Sequence, residues 1–272
     1  GRAIKTVSTK TENVKSSSTQ LSAIVDYISD IAERENIKPL KLWLEPLGDV
    51  IFYDDIVHES GGWDGEGWKP LDHWMRPTIG IYDDPKNQLQ NALTVNMGED
   101  GHLLLYGAPG TGKTTFLQTL IYSLIKSYSP EMVNLYLLDF GGRTMGYYSE
   151  LPHTGGVIFS DDEDKLDKLF RMLTKELESR KRKFAEYGVG TLQSYMQISG
   201  EIEAAMVVII DNYSAFSELY PDYEGTIVTR SREGGNYGIY MVITASNTNS
   251  VKYKVSQNFK LMYTLQLNDK YE

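Results

Sequence analysis

The chain has 272 residues, of which 41% are hydrophobic and 24% are charged. This is the composition of an ordinary globular protein with one large domain, or one domain and a smaller extension. Its formal net charge of −10 argues against nucleic acid or an anionic membrane surface as a partner, because phosphate groups are bound by concentrated positive charge. The absence of cysteine excludes disulfides, thiolate zinc sites and a cysteine nucleophile. No apolar run reaches the roughly 18–20 residues of a membrane span, and no signal peptide is visible.

The first part of the chain predicts a tail followed by a helical and loop-rich extension. Residues 1–20 are rich in Ser, Thr and Lys and are interpreted as a linker or tail. Residues 21–77 are interpreted as an extension that packs on the core. Within it, residues 21–35 have apolar side chains at helical spacing. The candidate N-caps of this helix are Ser17, Ser18 and Thr19. The tryptophans expected to pin the extension onto the core, rather than to form a docking surface, are Trp43, Trp63, Trp68 and Trp74.

Strands and helices alternate through residues 78–272, the predicted main domain. The predicted strands are 79–82, 93–97, 102–106, 133–140, 155–159, 206–210, 239–244 and 261–267, and the long helices are 113–128 and a helix capped by Asp161 that runs to about 187. Such alternation predicts the α/β class, with a mainly parallel sheet covered by helices on both faces.

A phosphate-binding motif joins the strand 102–106 to the helix that begins at Lys113. The matching residues are Gly107, Ala108, Pro109, Gly110, Thr111, Gly112, Lys113 and Thr114, which fit G-x-x-x-x-G-K-[ST], and the predicted binding set extends to Thr115. Glycines allow backbone N–H groups to point at phosphate oxygens, and the helix N-terminus adds its dipole. Lys113 is expected to reach the β- and γ-phosphates of ATP, and the Thr114 hydroxyl to bind Mg²⁺. The alternative is a Gly-rich turn that holds no ligand.

A second acidic element follows the apolar strand 206–210. Asp211 ends this strand, which is the Walker B pattern, in which the aspartate holds Mg²⁺. The alternative is an aspartate that caps a core strand. The next residue, Asn212, stands where ATPases of this class usually have a glutamate base. An amide cannot accept a proton but can orient a water molecule, so hydrolysis is expected to be slow or to need a neighbouring subunit.

Other polar residues carry weaker expectations. Asn247, or its neighbour Ser246, follows a buried strand and is a candidate sensor of the γ-phosphate, with simple loop polarity as the alternative. Arg230 and Arg232 are candidate arginine fingers, although a solvated surface position is favoured for each. The basic run 180–183 is interpreted as a helix C-terminus and not as a nucleic-acid site. The histidines, which lack metal-ligand spacing and are interpreted as structural or surface residues, are His58, His73, His102 and His153.

Several stretches beyond the P-loop carry a resemblance to a known family. They are Leu42-Trp43-Leu44-Glu45-Pro46-Leu47, Ile79-Gly80-Ile81-Tyr82-Asp83-Asp84-Pro85, His102-Leu103-Leu104-Leu105, Leu138-Asp139-Phe140-Gly141-Gly142, Ile210-Asp211-Asn212-Tyr213, Asn258-Phe259-Lys260 and Leu265-Gln266-Leu267-Asn268-Asp269. Over roughly residues 40–272 the chain resembles the FtsK/SpoIIIE ATPases. More specifically, it resembles a cytoplasmic ATPase domain of the type VII secretion ATPases, the EssC/YukB/EccC group. Residues 211–213 are similar to the second tandem domain of the Firmicute EssC branch.

The resemblance implies a RecA-like P-loop core in which Lys113, Thr114 and Asp211 bind ATP and Mg²⁺. It implies a membrane-anchored bacterial protein whose cytoplasmic ATPase domains lie in tandem, act as a hexamer and export WXG100-type proteins. Membrane contact is then expected only through the parent chain. The start at Gly1 and the end shortly after a predicted strand are expected for a fragment that lacks a C-terminal segment. Two alternatives stay open, which are a DNA translocase and a non-catalytic module that binds nucleotide for assembly or substrate docking.

Overall fold

The computed structural model describes residues 19–37, 44–57 and 61–268. The chain divides into two compact units, Gly1–Glu45 and Pro46–Glu272. In the described part of the first unit, helix α1 (Gln20–Arg34) begins after Thr19, whose hydroxyl accepts a hydrogen bond from the backbone N–H of Ser22. Thr19 is therefore the N-cap, while the other two candidates, Ser17 and Ser18, lie outside the described residues. No residue of α1 is buried.

The second unit is built on a six-stranded sheet in which every neighbouring pair of strands is parallel. Its strands are β5 (Leu103–Tyr106), β6 (Val133–Asp139), β7 (Thr154–Phe159), β8 (Ala205–Asp211), β9 (Ile239–Ala245) and β10 (Leu261–Thr264), in the spatial order β10-β5-β9-β8-β6-β7. Strands β8 and β9 are buried at every residue, because helices cover both faces of a parallel sheet. The predicted α/β class and parallel sheet are confirmed.

Helices pack on the two faces of this sheet. They are α4 (Lys113–Ser127), α5 (Glu163–Glu186), α6 (Leu192–Ser199), α7 (Tyr213–Leu219), α8 (Glu224–Glu233) and the short α9 (Tyr253–Ser256). Alternate residues of β8 separate two apolar clusters. Val208 belongs to the cluster that holds most of the buried residues of α5, and Val207 to the cluster beneath α4. None of the helices in the described residues has the length and apolarity to cross a bilayer.

Two predicted elements before the P-loop are partly wrong. The chain at 78–94 forms an antiparallel hairpin of β3 (Thr78–Asp84) and β4 (Leu89–Thr94), separate from the main sheet. The strand predicted at 93–97 ends three residues early, and Met97 instead starts the short helix α3 (Met97–Asp100). The turn between the strands carries Pro85, Lys86 and Asn87, which are turn-forming or polar residues, so the hairpin signal was present in the sequence.

The predicted cap of α5 is also displaced by one residue. Asp162, and not Asp161, is the N-cap position, and its carboxylate accepts the backbone N–H of Phe159. Asp161 instead forms an ion pair with the exposed guanidinium of Arg143.

Within the second unit, aromatic side chains hold the segment that precedes β3 against α4 and the residue that follows it. This segment contains the short helix α2 (Tyr53–Ile56) and the antiparallel pair β1 (Gly62–Trp63) and β2 (Trp68–Lys69). The indole of Trp68 donates to the carbonyl oxygen of Ile125 over 2.9 Å, and Trp74 packs edge-on against Tyr128. Trp63 in turn packs on Trp68. The expected packing of the extension onto the core is confirmed for Trp68 and Trp74, while Trp43 lies outside the described residues.

Candidate nucleotide-binding site

The loop between β5 and α4 has the backbone shape that a phosphate cradle needs. Gly110 and Gly112 have φ values of 80° and 104°, a left-handed region that residues with a Cβ rarely enter. An ideal Cβ on Gly107 would lie 2.6 Å from the Thr111 hydroxyl oxygen and 3.0 Å from the Leu265 Cβ. These three glycines are therefore required by the conformation of the loop.

Hydrogen bonds anchor this loop on two neighbouring strands. The N–H of Gly107 donates to the carbonyl oxygen of Ala245, the last residue of β9, over 3.1 Å. The N–H of Ala108 donates to the carbonyl oxygen of Gln266, which follows β10, over 2.9 Å. Within the loop, the Thr111 hydroxyl donates to the Ala108 carbonyl oxygen over 2.8 Å. The start of the loop is thus held from both sides of β5.

Lys113 lies at the N-terminus of α4 with its ammonium group folded under the loop. Its Nζ donates to the carbonyl oxygens of Gly107 (2.6 Å) and Ala108 (3.0 Å). Burial lowers the pKa of Lys113, and the negative charge of Asp211 opposes this shift. The ammonium is therefore held by weak neutral acceptors, and a phosphate group would be a stronger partner for it.

Two buried carboxylates lie side by side at the carboxyl ends of β6 and β8. Asp139 and Asp211 are register partners in the sheet and are 2% and 5% exposed. Asp139 accepts backbone N–H groups of Gly141 (3.0 Å), Arg143 (3.2 Å) and Met145 (2.9 Å). Three of its roughly four acceptor positions bind N–H groups of the loop after β6, so its role in the structure is to shape that loop.

Asp211 has fewer hydrogen-bond partners than Asp139, and the cost of burying its charge is less well compensated. The Thr244 hydroxyl donates to its Oδ1 over 2.5 Å. Burial raises the pKa of Asp211 above its usual range, the Thr244 hydrogen bond opposes the shift, Asp139 adds to it, and Lys113 opposes it. A cation beside this carboxylate would offset the cost of burying its charge.

The donor set fits Mg²⁺ better than it fits a metal held by the protein alone. No group of three or more His, Cys, Asp or Glu side chains able to hold a metal exists in the part of the chain that the structure describes. Mg²⁺ is ordinarily bound by one or two protein oxygens together with phosphates and water. Asp211 supplies one such oxygen, and Thr114, the second residue of α4, stays the predicted second donor. A side chain at residue 141 would crowd this carboxylate, since an ideal Cβ on Gly141 would lie 3.2 Å from Asp211 Oδ2. The glycine therefore leaves room for a metal ion beside Asp211.

Asn212 adopts a left-handed conformation, with φ 64° and ψ 66°. Its N–H donates to the Thr244 hydroxyl (2.9 Å), and its side-chain Nδ2 donates to the carbonyl oxygen of Phe140 (3.2 Å). Asparagine tolerates this backbone region better than most residues with a side chain. The amide is thus tied to the backbone that follows β6, in a conformation that disfavours glutamate.

The candidate sensor Asn247 lies at the start of a 3₁₀ turn. Its Oδ1 accepts hydrogen bonds from the N–H and the hydroxyl of Ser250, at 2.9 and 2.8 Å. The carbonyl end of the amide is therefore a cap for its own turn. The role of Asn247 as a sensor stays a prediction.

The expectation that Arg230 is solvated is wrong, and the basic run 180–183 is not uniformly exposed. Arg230 is 8% exposed and donates to the hydroxyl of Thr174 in α5, and burial lowers the pKa of its guanidinium. Arg180 is 1% exposed. Arg232 does lie at the surface and pairs with Glu233. A buried arginine cannot act across a subunit interface without moving, so Arg232 is the better placed of the two candidate fingers.

Two residues of the site were missed from the sequence, Asp139 and Thr244. Each ends, or nearly ends, an apolar strand with a polar side chain, and this signal was available. What the sequence does not give is the spatial order, in which β6 and β9 flank β8.

The chain is similar to known proteins over most of its length. The model of the FtsK/SpoIIIE family matches residues 71–272. The type VII secretion system protein EssC of Staphylococcus aureus (strain NCTC 8325 / PS 47) is 30% identical over 264 residues, which are 96% of this chain and 18% of that protein. The chain thus spans less than a fifth of the length of this curated relative.

Solved structures point to the same group. The cytoplasmic domain of the Thermomonospora curvata type VII secretion ATPase EccC superposes with a TM-score of 0.76 at 28% identity, over 86% of this chain and 28% of that one. Thermomonospora curvata EccC (ATPases 2 and 3), solved in complex with a signal sequence peptide, gives a TM-score of 0.70 at 28% identity, over 78% and 39% of the two chains. The chain therefore belongs to the FtsK/SpoIIIE family of P-loop ATPases, and its similarity within that family is to ATPase domains of type VII secretion proteins.

Proposed function

We propose that this chain is an ATP- and Mg²⁺-binding module of a type VII protein secretion ATPase. The observation that carries this proposal is that the P-loop, which joins β5 to α4, and Asp211, which ends β8, lie at the carboxyl ends of strands of one parallel sheet. Ligands of open α/β sheets bind at this end of the strands.

Each residue of the site has a distinct role in this proposal. The N–H groups of residues 110–115 that face the loop interior donate to phosphate oxygens, and Lys113 exchanges its two carbonyl partners for the β- and γ-phosphates. Thr114 and Asp211 would hold Mg²⁺, which would supply positive charge that offsets the negative charge of the phosphates.

Hydrolysis by the isolated chain is proposed to be weak. Asn212 has no proton-accepting group, and its amide nitrogen donates to the Phe140 carbonyl oxygen. The neighbouring carboxylate of Asp139 is occupied by three backbone N–H groups. Neither residue is therefore placed to take a proton from an attacking water. Nucleotide then serves mainly as a structural or regulatory ligand.

The parent machine is inferred from the relatives. We place this chain as the second of several tandem ATPase domains in a membrane-anchored protein that acts as a hexamer on the cytoplasmic side and exports WXG100-type substrates. The similarity to a structure of ATPases 2 and 3 of EccC supports the tandem arrangement. A DNA translocase of the same family is the alternative, and the net charge of −10 counts against it. ATP hydrolysis that DNA stimulates would favour that alternative.

A second candidate function is the docking of an export signal. A cleft of about 1030 Å³ lies at the amino ends of the strands, between the segment after β2, the end of α4 and helix α6. Its apolar lining includes Trp68, Leu71, Met132 and Met196. A related EccC was solved with a signal sequence peptide, and an apolar cleft of this size would accept a short amphipathic segment.

The docking function is tested by fluorescence anisotropy with a labelled signal peptide from a WXG100-type protein. Met196→Asp should abolish binding. The matched control is Ile198→Asp on the exposed side of α6, which should leave binding unchanged. Equal effects of both changes would remove the cleft from the proposal.

The nucleotide function is tested by calorimetric titration with ATP and by steady-state hydrolysis. We expect Mg²⁺-dependent binding, a slow turnover and the loss of both in Lys113→Ala. A wild-type chain that binds no ATP would contradict the proposed function, whereas rapid turnover would contradict only the role given to Asn212.

A further inference from the structure

The carboxyl end of β9 contacts both halves of the candidate site. The Thr244 hydroxyl donates to Asp211 Oδ1 over 2.5 Å and accepts the N–H of Asn212 over 2.9 Å. The carbonyl oxygen of the next residue, Ala245, accepts the N–H of Gly107 over 3.1 Å. Two consecutive residues of one strand therefore hold the metal-binding carboxylate and the first residue of the P-loop.

The surroundings of Thr244 hold its hydroxyl in one position. Thr244 is fully buried, between Leu105 of β5 on one side and β8 on the other. A buried hydroxyl needs partners, and this one uses both its donor and an acceptor position. Threonine also suits a strand and has a stiff first side-chain torsion. The hydroxyl is therefore fixed relative to the sheet.

The hydrogen bond to Asp211 also selects which carboxylate oxygen is available. Oδ1 is taken by Thr244. Oδ2 lies on the side of Gly141, where an ideal Cβ would approach it to 3.2 Å. The absence of a side chain at Gly141 leaves space in front of Oδ2.

We propose that Thr244 is a positioning residue that occupies Asp211 Oδ1 and so leaves Oδ2 as the oxygen that would bind the metal; its neighbour Ala245 joins the same strand end to the P-loop. This inference rests on the proposed binding of MgATP. Thr244 acts on Asp211 and does not contact nucleotide. Its removal therefore weakens the part of ATP binding that depends on Mg²⁺ and spares the part that depends on Lys113.

The test compares ATP affinity in excess MgCl₂ with ATP affinity in EDTA, by calorimetric titration. Thr244→Val keeps the shape and removes the hydroxyl, and it should reduce the Mg²⁺-dependent gain in affinity by about tenfold. The affinity in EDTA should stay close to that of the wild type. Thr244→Ser keeps the hydroxyl and should retain most of the gain.

The matched control is Thr154→Val in β7, because the Thr154 hydroxyl is buried and has no hydrogen-bond partner in the described part of the chain. This control should leave both affinities unchanged. If Thr244→Val does not fold, Thr244→Cys has similar volume and only a weak donor, and the same loss is expected from it.

Three results would overturn the inference while leaving the proposed function intact. They are an unchanged Mg²⁺-dependent gain in Thr244→Val, an equal loss of affinity with and without Mg²⁺, and a loss in Thr244→Ser as large as in Thr244→Val. A wild-type chain that shows no ATP binding would overturn both this inference and the proposed function.

Discussion

Charged groups are buried at both ends of the parallel strands, but the two ends differ in how fully protein partners satisfy these charges. At the amino ends, the guanidinium of Arg180 donates to the carbonyl oxygens of Tyr237 (2.8 Å) and Ala204 (2.7 Å), just before β9 and β8. It also pairs with Glu176 and Glu203. This charge is surrounded by protein partners and needs no ligand.

At the carboxyl ends, the charged groups have protein partners that compensate their charge only in part. Lys113 bonds to two neutral carbonyl oxygens, and the pKa of Asp211 is raised mainly by burial despite the Thr244 hydrogen bond. Burial of a charge thus occurs at both ends of the strands. The carboxyl end differs because its charged groups would gain stronger partners from a ligand, and this difference marks it as the candidate site.

The largest expected effect comes from substituting Arg180 at the amino ends of the strands. Arg180→Met should lower the free energy of unfolding by about 4 kcal/mol, because Glu176 and Glu203 lose their partner and two carbonyl oxygens lose a donor. Urea unfolding measures the change. Arg182→Met, on the exposed side of the same helix, should leave stability within about 0.5 kcal/mol. Comparable losses in both variants would refute the distinction between buried and surface cations of α5.

The pH dependence of stability tests a second buried group at the amino ends of the strands, His102. His102 is buried just before β5, its Nδ1 accepts the N–H of Met241 over 2.9 Å, and burial lowers its pKa to about 4 from 6.5. The unfolded chain therefore binds a proton that the folded chain does not bind between pH 6.5 and 4. Stability is lost as pH falls through this window, by about 3 kcal/mol in total.

His102→Asn retains an acceptor for Met241 and should lack this component of the pH dependence. Urea unfolding at a series of pH values measures it. Identical pH profiles for His102→Asn and the wild type would show that His102 does not stay neutral in the fold.

The two neighbouring carboxylates at the carboxyl ends of the strands are expected to differ in role, with Asp139 stabilising the fold and Asp211 binding the metal. Asp139→Asn should cost about 2–3 kcal/mol, because the amide cannot accept all three backbone N–H groups that the carboxylate holds. Asp211→Asn should change stability by less than about 1 kcal/mol, because it also removes a buried charge beside another carboxylate. It should abolish the Mg²⁺-dependent gain in ATP affinity.

Unfolding free energies and ATP titrations of the two variants form one experiment. If Asp211→Asn proved the more destabilising, Asp211 would be a structural residue and its assignment as a metal ligand would lose its basis.

The smallest effect concerns Asn212. Asn212→Glu should cost about 1 kcal/mol, because glutamate is less tolerated at φ 64°. It should not by itself raise the rate of ATP hydrolysis to that of an active motor, since the left-handed backbone does not change with the side chain. A large gain in turnover, measured in a coupled assay, would show that the missing base alone limits the site.

The sequence was sufficient wherever the signal is local. The P-loop, the apolar run of β8 and the helix spacing of α4 lie within short segments, and the structure has all three elements where the sequence predicts them. The burial of Arg180 was not predicted, although the helical spacing around it indicated a buried position. Arg180 lies three residues after Leu177 and four before Phe184, on the apolar face of α5.

The pairing of Asp211 with Asp139 and Thr244 depended on strand order. These residues are separated by 72 and 33 positions in the sequence and meet only because β6 and β9 flank β8. The β3–β4 hairpin was misjudged for another reason, since a short apolar run fits a parallel or an antiparallel strand equally well. Long-range pairing, and not local propensity, set the limit of prediction.

The most direct test of the contrast between the two ends is thermal unfolding with and without MgATP. At a free concentration one hundred times the dissociation constant, a ligand that binds only the folded state stabilises it by about 2.7 kcal/mol. We expect this gain in the wild type, an equal gain in the destabilised but folded Arg180→Met, and none in Lys113→Ala. A gain that survived in Lys113→Ala, or one that was lost in Arg180→Met, would contradict the assignment of the carboxyl end as the ligand site.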